Sequence, residues 1–176
     1  TPVTNITSIS GGQGTQLGTN NQVAVLSFWA TWSANSRRQL SLIQSLTNQY
    51  GRKAVTFVNI NVDSLKQGKE VIDTAVHYGV GFSSLATDPR QMIASRFGVR
   101  SVPTLILVGK SGTVEAVHEG LPAPEGMGDF EQMIRAELDT LVDGRARSDF
   151  PARTAPAAKF DLLDPQLSGQ QALAPT

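Results

Sequence analysis

Apolar and polar residues follow two rhythms along this chain, and their succession predicts its architecture. Residues 23–29, Val-Ala-Val-Leu-Ser-Phe-Trp, form a nearly unbroken apolar run rich in β-branched and aromatic side chains. Such a run predicts a strand buried on both faces, in a sheet covered by helices. Over 34–50 the period changes. Leu40, Ile43, Leu46 and Tyr50 return at three- and four-residue steps, the apolar stripe of a helix, and Gly51 supplies a stop. Residues 54–62 read as a second buried strand. A helix follows at about 68–78, with Val71, Ile72, Ala75 and Val76 inward. Residues 83–86 suit a short strand. Asp88 and Pro89 read as the N-cap and first position of another helix, with Met92, Ile93 and Phe97 inward and Gly98 at its end. Residues 102–108 predict a strand, 110–112 a turn and 113–118 its antiparallel partner. A last helix covers about 127–142 and carries Phe130, Met133, Ile134, Leu138 and Leu141.

This order predicts an α/β domain with a mixed central sheet flanked by helices and an antiparallel edge. It occupies residues 22–142. Residues 1–21 are an N-terminal lead segment in which 10–14, Ser-Gly-Gly-Gln-Gly, read as a loop; a phosphate loop would need a following lysine, which is missing. Residues 143–176 are an extended or flexible tail punctuated by Pro151, Pro156, Pro165 and Pro175. Phe150, Phe160, Leu162, Leu163 and Leu167 are more apolar than a solvated tail needs, so the tail is expected to lie across its own domain or over a neighbouring protein.

Composition narrows the chemistry. Lys+Arg and Asp+Glu are 15 each, so no net field draws the chain to nucleic acid or an anionic membrane. The arginines at 37–38 and 145–153 are too sparse for a nucleic-acid patch. No apolar run approaches the roughly 20 residues that span a bilayer. Cysteine is absent, which excludes disulfides, thiolate metal sites, iron–sulfur clusters and a cysteine nucleophile within these residues. Two histidines, His77 and His118, are too few for a histidine cage, so no metal or other cofactor is expected. Asn5-Ile6-Thr7 fits a glycosylation sequon, relevant only in a eukaryotic secretory route.

Phe28-Trp29-Ala30-Thr31-Trp32 closes the first long strand and runs into a helix through Ser33-Ala34-Asn35-Ser36-Arg37. About 70 residues later comes Gly98-Val99-Arg100-Ser101-Val102-Pro103-Thr104. Together they resemble the thioredoxin superfamily, in particular the TlpA/ResA-like extracytoplasmic thiol–disulfide oxidoreductases. There the first motif carries C-x-x-C and the second a cis-proline. Residues 58–63 and 109–112 are similar to the same family, and the resemblance covers roughly 22–142. It implies a thioredoxin-like fold and an extracytoplasmic (periplasmic or exported) location. It also implies a peptide groove beside the proline, where the backbone of Val102 pairs with an extended substrate.

The departures bear on function. The redox positions hold Ser33 and Ser36, and a hydroxyl neither ionises like a thiol nor forms a disulfide. The acidic or amide residue under the family's site is Ser27 here, and the proline five residues beyond its second cysteine is Ser41. Ser33 as a hydrolytic nucleophile would need a base, and neither motif supplies a histidine. The residues instead suit a helix start, with Ser33 as N-cap. Trp29 is expected in the core and Trp32 exposed beside the groove. Two readings stand. One is a redox-inactive, protein-binding module or assembly subunit, whose groove comprises Trp32, Ala34, Asn35, Val102, Pro103 and Thr104, with the tail as a second contact. The other is a TlpA/ResA-like oxidoreductase whose two cysteines have been replaced. A peroxiredoxin-like peroxidase shares the fold and equally needs a cysteine.

Overall fold

The computed structural model describes residues 5–6, 15–16, 21–152 and 157–164. The loop expected over 10–14, the complete sequon and Leu167 lie outside the described residues. Asn5–Ile6 and Thr15–Gln16 form a small antiparallel pair.

The apolar run becomes strand β1 (Val23–Trp29), buried at every position as a strand covered on both faces must be. It leads into helix α1 (Ala34–Ala54), whose regular turns break at Gly51, where φ is +64°. Strand β2 (Val55–Asn61), helix α2 (Gly68–His77) and strand β3 (Leu85–Thr87) follow. Next come helix α3 (Met92–Arg96), the two-residue strand β4 (Ser101–Val102), and strands β5 (Thr104–Val108) and β6 (Val114–Glu119). A short β7 (Leu121–Pro122) precedes helix α4 (Met127–Val142). The central sheet runs β3-β2-β1-β5-β6. β1 pairs parallel with β2 and antiparallel with β5, so the sheet is mixed and ends in the antiparallel β5–β6 pair. This is the α/β architecture expected from the sequence, a mixed sheet flanked by helices.

The two-residue period of β1 divides the core. Val23 and Val25 share a cluster with Leu42, Leu46, Phe130 and Leu138 of α1 and α4. Leu26 and Phe28 point the other way, into a cluster with Ala94 of α3 and, from far along the chain, Leu163. Trp29 closes a third cluster with Leu40, Val71 and Leu85. No helix of the described residues is long and apolar enough to cross a membrane.

Three local expectations need correction. Val76 and Met92 are exposed rather than inward. Each adjoins a position that does take the core contact, Ala75 and Ile93, so the stripe is narrower than the apolar residues suggest. Helix α3 starts at Met92, not at Pro89, because Gln91 adopts a left-handed φ of +56°. Asp88 still caps it: its carboxylate accepts the Met92 and Ala94 backbone N–H groups, each at 2.8 Å. The strand read over 102–108 is split at Pro103, which has no N–H to give a ladder.

The Tyr50 hydroxyl binds α1 to α4, 2.7 Å from the Asp139 carboxylate. Burial, and then this carboxylate, hold the phenol well above its usual range. A folded-state value above the unfolded one gives stability that is complete below about pH 10 and lost as pH rises beyond it. The wild-type unfolding temperature should therefore fall more steeply above pH 10 than that of Tyr50→Phe, in parallel thermal melts.

Candidate functional site

The site is built where β1 hands over to α1. Asp63, just beyond β2, holds this turn. Its carboxylate accepts the Thr31 backbone N–H at 2.8 Å and the Thr31 hydroxyl at 2.6 Å. The Asn61 side-chain amide donates to the same group at 2.7 Å. Arg37 reaches back to donate to the Thr31 carbonyl at 2.6 Å. Trp32, at the turn's apex, is 53% exposed, whereas Trp29 is fully buried.

Ser33 is the N-cap of α1: its Oγ accepts the Ser36 backbone N–H at 3.1 Å. Ser33 and Ser36 are both buried and lie on one helical turn. Beneath them Gln39 donates to Ser27 Oγ at 2.9 Å. Among the described residues Ser36 Oγ, Gln39 Oε1 and Ser101 Oγ have no hydrogen-bond partner. His118 pairs with Glu137 at 2.7 Å and His77 packs edge-on against Tyr78, and neither is among the hydrogen-bond partners of the Ser33 hydroxyl, as a base would be.

The second motif lies alongside. The Val102–Pro103 peptide bond is cis. Val102, Pro103 and Thr104 are buried, and the Thr104 hydroxyl donates to the Ser101 carbonyl at 2.8 Å, so it serves the chain's own turn. Ala34 is exposed beside Trp32, and Asn35 accepts from Arg38 at 3.2 Å.

Of the two placements expected for the tail, across its own domain or over a neighbour, the structure shows the first; the sequence did not indicate that this face is the one covered. Residues of the tail lie across it as two short strands, β8 (Ala158–Lys159) and β9 (Asp161–Leu162). β8 pairs antiparallel with β7, and β9 with β4, placing Asp161 opposite Val102 and Leu162 opposite Ser101. The Leu163 N–H continues the ladder to the Arg100 carbonyl at 2.8 Å. Asp161 faces the helix start, where the Ser33 hydroxyl donates to its Oδ2 at 2.7 Å. The sequence signal was the apolar content of residues 160–163. Of these, Leu163 turns inward, whereas Phe160 and Leu162 remain exposed.

A thioredoxin-like family model matches residues 20–114, just over half of the chain. The thiol-disulfide oxidoreductase ResA of Halalkalibacterium halodurans is 24% identical over 113 residues, covering 64% of this chain and 62% of the relative. The chain thus spans less than two thirds of that relative's length. The thioredoxin-like protein YneN of Bacillus subtilis is 27% identical over 120 residues, 68% of this chain and 69% of YneN. Among solved structures, StoA of Bacillus subtilis superposes with a TM-score of 0.60 at 20% identity, covering 74% of this chain and 95% of StoA, a likeness of fold.

Proposed function

This chain belongs to the thioredoxin-like family, and we propose that it is a redox-inactive member that binds protein partners as extended peptide. The observation that carries the reading is the occupancy of its groove. The edge Ser101–Val102 pairs with an extended segment whose carboxylate receives the Ser33 hydroxyl at 2.7 Å. Strand addition of this kind draws affinity from main-chain hydrogen bonds and needs no thiol. The relative ResA is named a thiol-disulfide oxidoreductase, and that chemistry needs a thiolate and a resolving thiol. Without cysteine, these 176 residues supply neither. In the same proposal the protein acts outside the cytoplasm, as the ResA-like resemblance implies, as an adaptor or a subunit of a larger assembly.

The second reading, an oxidoreductase with both cysteines replaced, is favoured by one feature: Ser33 and Ser36 sit on one turn at a helix N-terminus, where a redox pair would work. Asp161 weighs against it, since a carboxylate within hydrogen-bond distance of position 33 welcomes a hydroxyl and repels a thiolate. Two measurements test the proposal. The chain should show no turnover in insulin reduction. On titration with unfolded polypeptide, amide NMR shifts should concentrate at Trp32, Ser101 and Val102. Reductase turnover, or shifts confined to other faces, would overturn it.

A further inference from the structure

We propose that the groove reads a sequence, an acidic residue followed two positions later by leucine in an extended segment of a partner protein, and that residues 158–163 are its resident ligand. This rests on the peptide-binding reading above and names the ligand it takes. The segment is held by more than backbone pairing. Asp161 and Leu163 share one face of an extended strand and both turn toward the domain. The Asp161 carboxylate meets the Ser33 hydroxyl at 2.7 Å, at the N-terminus of α1, where a negative charge is favoured. Leu163 is 6% exposed and joins Ala94, Val99 and Val102 in the core cluster. Leu162, between them, is 71% exposed, so its position carries no requirement.

The surface is also shaped to the segment. A Cβ on Gly120 would stand 2.7 Å from the Lys159 carbonyl oxygen, so only glycine lets the segment pass this close. Because the segment belongs to the same chain, it competes at a high effective concentration, and an incoming partner must displace it. A partner carrying the same acidic-x-leucine pattern would do so by repeating its contacts.

The test uses the full chain carrying Asp161→Ala and Leu163→Ala, which weaken the resident segment, and a fluorescein-labelled peptide with the sequence of residues 157–164. Two control peptides replace the aspartate matching Asp161 or the leucine matching Leu163 by alanine. In fluorescence anisotropy the parent peptide should bind the double variant at least tenfold more tightly than the wild-type chain, and each control should bind at least tenfold more weakly than the parent. Adding Ser33→Ala to the chain should erase the penalty for losing the aspartate. Equal binding of all three peptides would overturn the sequence code while leaving the groove reading standing; failure of all three would sink both. In the intact wild-type chain, Ser33→Ala should speed hydrogen exchange at the Leu163 amide and leave the Leu26 amide unchanged. Unchanged protection at Leu163 would remove the carboxylate contact from the argument. If the wild-type chain sediments as a dimer that the peptide dissolves, the occupant is a second copy's segment, and the commitment to a different partner fails.

Discussion

Ser33→Cys combined with Ser36→Cys should turn this chain into a protein with a reducible 33–36 disulfide, and its reductase activity should be held down by Asp161. The first half follows from helix geometry. Residues three apart on the first turn of α1 bring their side chains within roughly 5–6 Å at Cβ, within the adjustment a disulfide needs. The Ser36 hydroxyl is buried without a hydrogen-bond partner among the described residues, so a sulfur there gives up no bond. The second half follows from charge. Ser33 Oγ accepts the Ser36 N–H at the helix start, an environment that lowers the pKa of a thiol placed there. The same atom stands 2.7 Å from the Asp161 carboxylate, which raises it. A thiolate at 33 and the docked segment therefore disfavour one another, and ionisation is coupled to release of the tail. Adding Asp161→Asn removes the repulsion, and insulin reduction should rise at least tenfold over the double-cysteine chain, about 1.4 kcal/mol or more in barrier. Thiolate absorbance against pH should show the pKa of the thiol introduced at position 33 falling with the same substitution. If mass spectrometry after oxidation finds no 33–36 bond, the two positions do not share a turn as described. If Asp161→Asn leaves rate and pKa unchanged, the tail does not govern this site.

What was legible in the sequence was whatever a short window encodes. The unbroken apolar run of β1, the stripe of Leu40, Ile43 and Leu46, the Gly51 stop and the Ser33 cap are local patterns, and each is found where the pattern puts it. Their sum, with the two separated motifs, fixed the fold class. The tail was half legible. Its apolar residues announced a surface to cover, but not which of them would be used. A strand of two residues has no periodicity to read, and its register is set by partners far away in the chain, as with Ser33 and Asp161. Leu162 and Leu163 are identical in composition and opposite in burial, a difference that only the pairing with Ser101–Val102 decides. Polar residues that serve the site from below escaped for a related reason. Asp63 and Gln39 are ordinary in sequence, and their roles emerge when β2 and α1 are brought against the turn that carries Trp32.

Asp63→Ala should therefore be among the most damaging single substitutions in this chain, although Asp63 belongs to neither motif. Its buried carboxylate satisfies three donors: the Thr31 N–H, the Thr31 hydroxyl and the Asn61 amide. Bonds to a charged acceptor contribute about 1.5–3 kcal/mol each, and an orphaned buried donor costs about 1–3 kcal/mol. Against this stands the relief of not burying a charge, which in comparable sites offsets much of the sum. The net expectation is a loss of about 3 kcal/mol, a fall in melting temperature of roughly 6–12 °C for a domain of this size. Asp63→Asn is the informative companion. Its remaining oxygen can keep the Thr31 N–H, and its amide can donate to the Thr31 hydroxyl, which then accepts. The loss should shrink to about 1–1.5 kcal/mol, the value of charge assistance alone. The two variants should also part at the site. Thr31 precedes Trp32 and Ser33, so freeing it in the alanine variant should speed hydrogen exchange at both and weaken the Ser33–Asp161 bond, releasing Leu163 as well. The asparagine variant should keep that protection. Equal stability of the two variants would mean that the carboxylate's hydrogen bonds do not hold this turn, and that the apolar packing of Trp29 alone sets the geometry on which the groove depends.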